Sequence, residues 1–200
     1  MLKVGLTGGL ACGKTFVGEA LAECGCFLIH ADELGHEVLA PGGPAYQPVV
    51  NEFGREILAP DGTINRRLLA ARVFNDPARL ERLNSLVHPP VRERQDKLIA
   101  EFAAREPHGI AVVEAAILIE TGIYKQFDRI ILVTCQEEQQ VARALRRGAL
   151  ETDVRARLSR QMPLEEKRKF ADYVIDTSGD KAATLRQTRA VYEALRRIES

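Results

Sequence analysis

Eight consecutive residues, Gly8-Gly9-Leu10-Ala11-Cys12-Gly13-Lys14-Thr15, fit the pattern G-x-x-x-x-G-K-[ST] at every fixed position. The chemistry of such a run is binding of a nucleoside triphosphate. Its backbone N–H groups wrap phosphate oxygens, the start of the next helix adds partial positive charge, the lysine bridges the β- and γ-phosphates, and the hydroxyl reaches Mg²⁺. Gly8, Gly9, Ala11, Cys12, Gly13, Lys14, Thr15 and Phe16 are therefore the candidate ATP-binding residues, with Thr15 also a candidate metal ligand. The motif requires a strand before it and a helix after it. Lys3 to Thr7 reads as a short buried strand, and Phe16, Val17, Ala20 and Leu21 recur at helical spacing. A glycine-rich turn that binds nothing is the alternative, and that context argues against it.

A phosphate loop alone does not say what becomes of the triphosphate. Asp32 follows the apolar run Phe27-Leu28-Ile29-His30-Ala31 and so leaves the carboxyl edge of a strand, where a carboxylate can take the proton of an acceptor hydroxyl during phosphoryl transfer. It also reads as the N-cap of a helix starting at Glu33, a role compatible with the first. Glu114 ends another apolar run and is either an acid linked to Mg²⁺, through water, or a solvated strand end. Arg143 and Arg147, one helical turn apart, can clamp phosphoryl oxygens or form a solvated face. His88 has no second histidine at ligand spacing, so a packed histidine at a helix break is favoured over a metal ligand. Cys12, beside a helix start, is either a thiol of lowered pKa open to alkylation or a small residue filling a free motif position. No N-K-x-D guanine-reading element occurs, which weakens a GTPase reading.

The elements that must position these groups alternate. Apolar runs at 3–7, 26–30, 110–114, 129–134 and 172–176 are separated by helical patterns, as in an α/β fold with a parallel sheet flanked by helices. Between the second and third runs lies a long segment with turns at Pro41-Gly42-Gly43-Pro44 and Pro60-Asp61-Gly62 and a helix start at Asp76-Pro77. Such an insertion would overhang the strands' carboxyl ends, the edge where open α/β sheets bind ligands. His88-Pro89-Pro90 predicts a break between two helices. The arginine-rich stretch 140–160, with Gly148 as its elbow, predicts a two-helix lid. A last helix, about 180–198, turns Leu185, Val191, Leu195 and Ile198 toward the core. The division expected is one domain: a core of about 1–34, 106–137 and 166–200, a substrate-binding insertion of about 35–105, and a lid of about 138–165.

Composition limits the partners. Lys plus Arg and Asp plus Glu both number 28 in 200 residues, so no basic field invites nucleic acid. No apolar run approaches the ~20 residues of a membrane span, and the chain enters its first strand without a cationic leader. Four cysteines lack C-x-x-C pairing and are expected to be reduced. A cytoplasmic protein is expected, monomeric or weakly oligomeric, without nucleic-acid or membrane partners.

Taken in order, the residues resemble one family, the dephospho-coenzyme A kinases, over nearly the whole chain. The likeness rests on Gly5-Leu6-Thr7-Gly8-Gly9 through Gly13-Lys14-Thr15, Ala31-Asp32, Pro41-Gly42, Phe53-Gly54, Asp61-Gly62, Asn65-Arg66, Val73-Phe74, Leu83-Asn84 and His88-Pro89. It continues through Ile117-Leu118 with Glu120, Gln140 with Arg143 and Arg147, Gln161, Glu166-Lys167 and Ala171-Asp172-Tyr173. The resemblance implies a P-loop kinase fold and transfer of the ATP γ-phosphate to the ribose 3′-hydroxyl of dephospho-CoA, with Mg²⁺, in the last step of coenzyme A synthesis. It puts the base on Asp32, the acceptor-binding arginine on Arg66 and the lid arginine on Arg143. Asp32, Lys14 and Arg143 make up the expected catalytic set, and Asp32, Arg66 and His88 the substrate-binding set. His30, Glu114, Ala116 and Thr177 depart from the family's usual Asp, Asp, Pro and Asn. Rival readings are a kinase of another small acceptor, such as a nucleoside monophosphate or shikimate, a nucleotide-dependent switch, or a structural protein with a relic loop.

Overall fold

Strand β1 (Leu2–Gly8) is the middle member of a five-stranded sheet in the order β2-β3-β1-β4-β5, and every pairing is parallel. A computed structural model describes residues 1–73 and 76–199 of the chain; Phe74, one of the family-like positions, lies outside them. Two compact units result, one of residues 1–30 and 101–200, the other of residues 31–100.

In the first unit β1 leads through the glycine loop to α1 (Lys14–Glu23) and then to β2 (Phe27–His30). After the second unit the chain returns to form β3 (Ile110–Glu114) and β4 (Arg129–Thr134). Because side chains on both sheet faces are buried, the central strands are continuous apolar runs instead of alternating ones. Val4, Leu6, Val112, Ile131 and Val133 lie in one buried cluster with Val17 and Leu21 of α1. Ala111, Val113, Ile130 and Leu132, of opposite parity, are buried as well. Register brings His30 opposite Glu114, and Glu114 opposite Leu6, at the carboxyl ends of β2, β3 and β1.

The second unit holds the helices α2 (Ala31–Leu39), α3 (Tyr46–Phe53) and α4 (Arg66–Val73), together with most of α5 (Pro77–Arg105). Its core is Val49, Phe53, Ile57, Leu69 and Val73, with Leu83, Leu86 and Val87 of α5 packed against them. The break expected at His88-Pro89-Pro90 is absent, since α5 runs through both prolines. A proline inside a helix costs about 3 kcal/mol through its missing N–H and the crowded carbonyl one turn back. Partial burial of Leu83, Leu86 and Val87 before the prolines, and burial of Ile99 further along the helix, opposes that cost.

The first unit is completed by α6 (Glu137–Arg146), α7 (Glu151–Leu158), α8 (Leu164–Arg168), β5 (Tyr173–Asp176) and α9 (Lys181–Glu199). Gly148, at φ +84°, turns the chain between α6 and α7 in the left-handed region that glycine favours. On α9 the buried stripe is Thr184, Thr188, Val191 and Leu195, whereas Ile198, expected to face the core, is 43% exposed. Two threonines are tolerated there because their hydroxyls donate to carbonyls one turn back, Thr184 to Asp180 at 3.2 Å and Thr188 to Thr184 at 2.9 Å. Among the described residues no helix is long and apolar enough to cross a membrane.

Candidate active site

The loop between β1 and α1 takes its shape from two glycines. Gly13 caps α1 at φ +86°, and a Cβ on Gly8 would stand 2.3 Å from the Val133 carbonyl oxygen, so neither position accepts a side chain without displacement. The loop thereby delivers Lys14, Thr15 and Phe16 to the first turn of α1, where N–H groups have no intrahelical acceptor and point outward as anion donors. Lys14 Nζ donates to the carbonyls of Gly8 at 3.3 Å and Gly9 at 3.0 Å, which holds the ammonium over its own loop.

Thr15 meets the strand end. Its hydroxyl donates to Glu114 Oε1 at 3.0 Å, while the other carboxylate oxygen lies 2.7 Å from His30 Nδ1. A hydroxyl and a carboxylate are hard oxygen donors, the kind that suits a small divalent cation sharing its remaining positions with phosphates and water. Among the described residues no group of three or more His, Cys, Asp or Glu forms a self-sufficient metal cage. His30 is the residue that sequence reasoning undervalued. Its pairing with Glu114 follows from strand register, and a separation of 84 positions gives no local signal of it.

Cys12 does not carry the activated thiol its place beside a helix start suggested. It is fully buried, its sulfur lies 3.2 Å from that of Cys135, and the hydrogen bond with Cys135 together with burial pushes its pKa up. Cys135 moves the other way, down to about 7, because the Cys12 thiol supports its thiolate and Arg143 adds positive charge.

Arg143 on α6 donates to the Thr177 hydroxyl at 3.0 Å and to the Thr177 carbonyl at 2.7 Å. Thr177 in turn donates to the Cys12 carbonyl at 2.7 Å, so the arginine is coupled to the phosphate loop through one buried hydroxyl. Arg147 caps the end of the same helix and is exposed. Past α7, Gln161 Oε1 accepts from the Leu10 N–H at 3.0 Å, a second tie between the arginine-rich segment and the loop. A buried ion pair underlies this region. Lys167, with no exposed surface, lies 2.8 Å from Glu120 and donates to the Ala116 carbonyl at 3.1 Å.

The second unit carries the other candidates. Asp32 is exposed and is the second residue of α2, inside its first turn, so it is not the cap of a helix begun at Glu33. Arg66, first residue of α4, donates to Nε2 of His36, which therefore carries its neutral proton on Nδ1. His88 lies inside α5 with Pro89, Arg92, Glu93 and Asp96 around a cavity of about 390 Å³. Burial, helped by the charge of Arg92, holds its pKa below the ordinary histidine value.

The family model for dephospho-CoA kinase matches residues 2–183. A dephospho-CoA kinase of Aquifex aeolicus is 39% identical over 197 residues, 98% of this chain and 99% of its own. That of Thermobifida fusca is 41% identical over 198 residues, 98% of each. Among solved structures, TT1252 from Thermus thermophilus superposes with a TM-score of 0.81 at 30% identity over 96% of both chains. A dephospho-CoA kinase from Campylobacter jejuni gives 0.73 at 24% identity over 99% of this chain and 98% of its own, a likeness of fold.

Proposed function

Since the chain belongs to the dephospho-CoA kinase family and is a dephospho-CoA kinase, acting in the final step of coenzyme A biosynthesis, we propose that its glycine loop holds Mg²⁺-ATP while Asp32 activates the ribose 3′-hydroxyl of dephospho-CoA. The observation that carries this reading is the Thr15–Glu114 hydrogen bond at the foot of a glycine loop that opens a helix. Loop N–H groups and Lys14 gather the β- and γ-phosphate oxygens. Thr15 would hold Mg²⁺ directly and Glu114 through water. Bound there, the ion neutralises charge on the phosphates during transfer.

Asp32 takes the proton of the 3′-hydroxyl and aims its oxygen at the γ-phosphorus. Arg66 grips a phosphate of the acceptor, with its guanidinium held by His36, and His88 contributes to the acceptor site. Arg143 supplies positive charge toward the transferring phosphoryl group. Phosphoryl transfer asks for little covalent work from the protein, so positioning and charge carry most of the rate. Residues of about 35–105 serve the acceptor, those of about 138–165 act as the lid that excludes water, and the remainder forms the nucleotide-binding core. Four free thiols fit a cytoplasmic enzyme.

The test is product mass. Purified protein is given Mg²⁺-ATP with dephospho-CoA, and in parallel with AMP and with shikimate. CoA formed from dephospho-CoA alone supports the reading. A phosphorylated product from either rival acceptor contradicts it, and ATP binding without any phosphorylated product would make the protein a nucleotide-dependent switch.

A further inference from the structure

His30 and Glu114 sit opposite each other in the register of β2 and β3, and a carboxylate has no hydrogen to give. At 2.7 Å the shared hydrogen therefore belongs to His30 Nδ1, which donates to Glu114 Oε2. The glutamate is held at both ends, because Oε1 accepts from the Thr15 hydroxyl at 3.0 Å. This occupies the only hydrogen of Thr15 and leaves its oxygen lone pairs for another partner. Glutamate rotates about one more bond than aspartate, so a second tether is what keeps its carboxylate in a single orientation. Both side chains of the pair are largely shielded, His30 at 28% exposure and Glu114 at 11%, so water competes weakly for the bond.

We infer that His30 is a positioning residue for the metal-nucleotide site: its Nδ1–H fixes the Glu114 carboxylate, which fixes the Thr15 hydroxyl. The inference rests on the reading of Thr15 and Glu114 as the metal-binding pair. His30 neither touches substrate nor exchanges a proton with it. Its role is that of the outer partner that orients a carboxylate near a cation, the kind of contact whose loss typically costs about 10–100-fold in metal affinity or activity. Asn has an amide nitrogen at the same number of bonds from the backbone as Nδ1, so His30→Asn can make the bond that His30→Ala cannot.

The experiment measures the affinity of a fluorescent, non-hydrolysable ATP analogue with and without Mg²⁺, for wild type, His30→Ala, His30→Asn, Glu114→Gln and His30→Ala/Glu114→Gln, with melting temperatures taken on each. The quantity read is the gain in affinity on adding Mg²⁺. His30→Ala is expected to lose about tenfold of that gain while Mg²⁺-free affinity holds, with His30→Asn recovering most of it. In the Glu114→Gln background the further loss from His30→Ala is expected to be no more than about twofold, as for residues acting in series. A full Mg²⁺ gain in His30→Ala alongside a reduced gain in Glu114→Gln overturns the role of His30 alone. A full gain in Glu114→Gln overturns the metal-binding reading of Glu114 and this inference with it. Imidazole ¹⁵N shifts in the nucleotide-free wild type give a second readout: a proton on Nδ1 of His30 is expected, and a bare Nδ1 contradicts the inference.

Discussion

The Thr177 hydroxyl lies 2.7 Å from the carbonyl oxygen of Cys12, so the loop that follows β5 is bonded to the backbone of the phosphate loop. Arg143 donates to the same hydroxyl at 3.0 Å. One buried oxygen thus accepts from the arginine of α6 and donates to the nucleotide loop. Its removal breaks this link and leaves Arg143 bonded to the Thr177 carbonyl.

Thr177→Val keeps the shape of the side chain and deletes that oxygen. The Cys12 carbonyl then loses its donor and Arg143 one acceptor, a loss of about 1–3 kcal/mol for buried groups. Denaturant unfolding is expected to show it as a lower midpoint at unchanged slope, accompanied by a raised KM for ATP. An unchanged KM would mean that the link does not shape the loop.

The cysteine pair gives a prediction in pH. Cys135 is held down to about 7, so its thiolate fraction rises as pH passes through neutrality, whereas Cys12 is held up and remains a thiol over the same range. Cys135 is only 8% exposed and Cys12 has no exposed surface, so mass spectrometry after iodoacetamide treatment is expected to find slow carboxamidomethylation of Cys135 that increases from pH 6 to pH 8, while Cys12 stays unmodified until the protein unfolds. Preferential labelling of Cys12 would reverse the assignment.

Lys167 and Glu120 test the buried charge. Replacing the fully buried lysine by Met leaves Glu120, 19% exposed, without its cation and the Ala116 carbonyl without its donor. Breaking such a pair costs about 3–5 kcal/mol when both charges are fully buried, and the partial exposure of Glu120 puts the expected loss near the lower figure. Chemical denaturation measures it. A change below about 1 kcal/mol would show that water already screens the pair.

The strand-loop-helix around Gly8 to Thr15 was legible because each of its requirements is local: an apolar run, glycines at fixed spacing, then helical periodicity. Strands β3 and β4 were legible for the same reason, since burial on both faces writes itself as an uninterrupted apolar run. Pro89 and Pro90 misled because their cost is local while the packing of Leu83, Leu86 and Val87 that opposes it is tertiary. Ile198 misled because the apolar stripe of α9 runs partly through the hydroxyl-bearing Thr184 and Thr188, which apolar periodicity skips. The partners of the site residues were the least legible part. His30 with Glu114, Arg66 with His36, and Arg143 with Thr177 are joined by strand register and helix packing across 84, 30 and 34 positions.

Asp32 tests the account at its centre. It is exposed, and it is the second residue of α2 instead of its cap, so replacing its carboxylate removes chemistry with little structural cost. The decisive measurement is the turnover of Asp32→Asn, read as CoA formed by mass from saturating Mg²⁺-ATP and dephospho-CoA, beside the ATP affinity of the same preparation. With Asp32 as general base, ATP affinity stays at the wild-type value and kcat falls by about 10²–10⁴-fold. Wild-type turnover in this variant would contradict the proposed mechanism and reduce Asp32 to an acidic residue in the first turn of a helix.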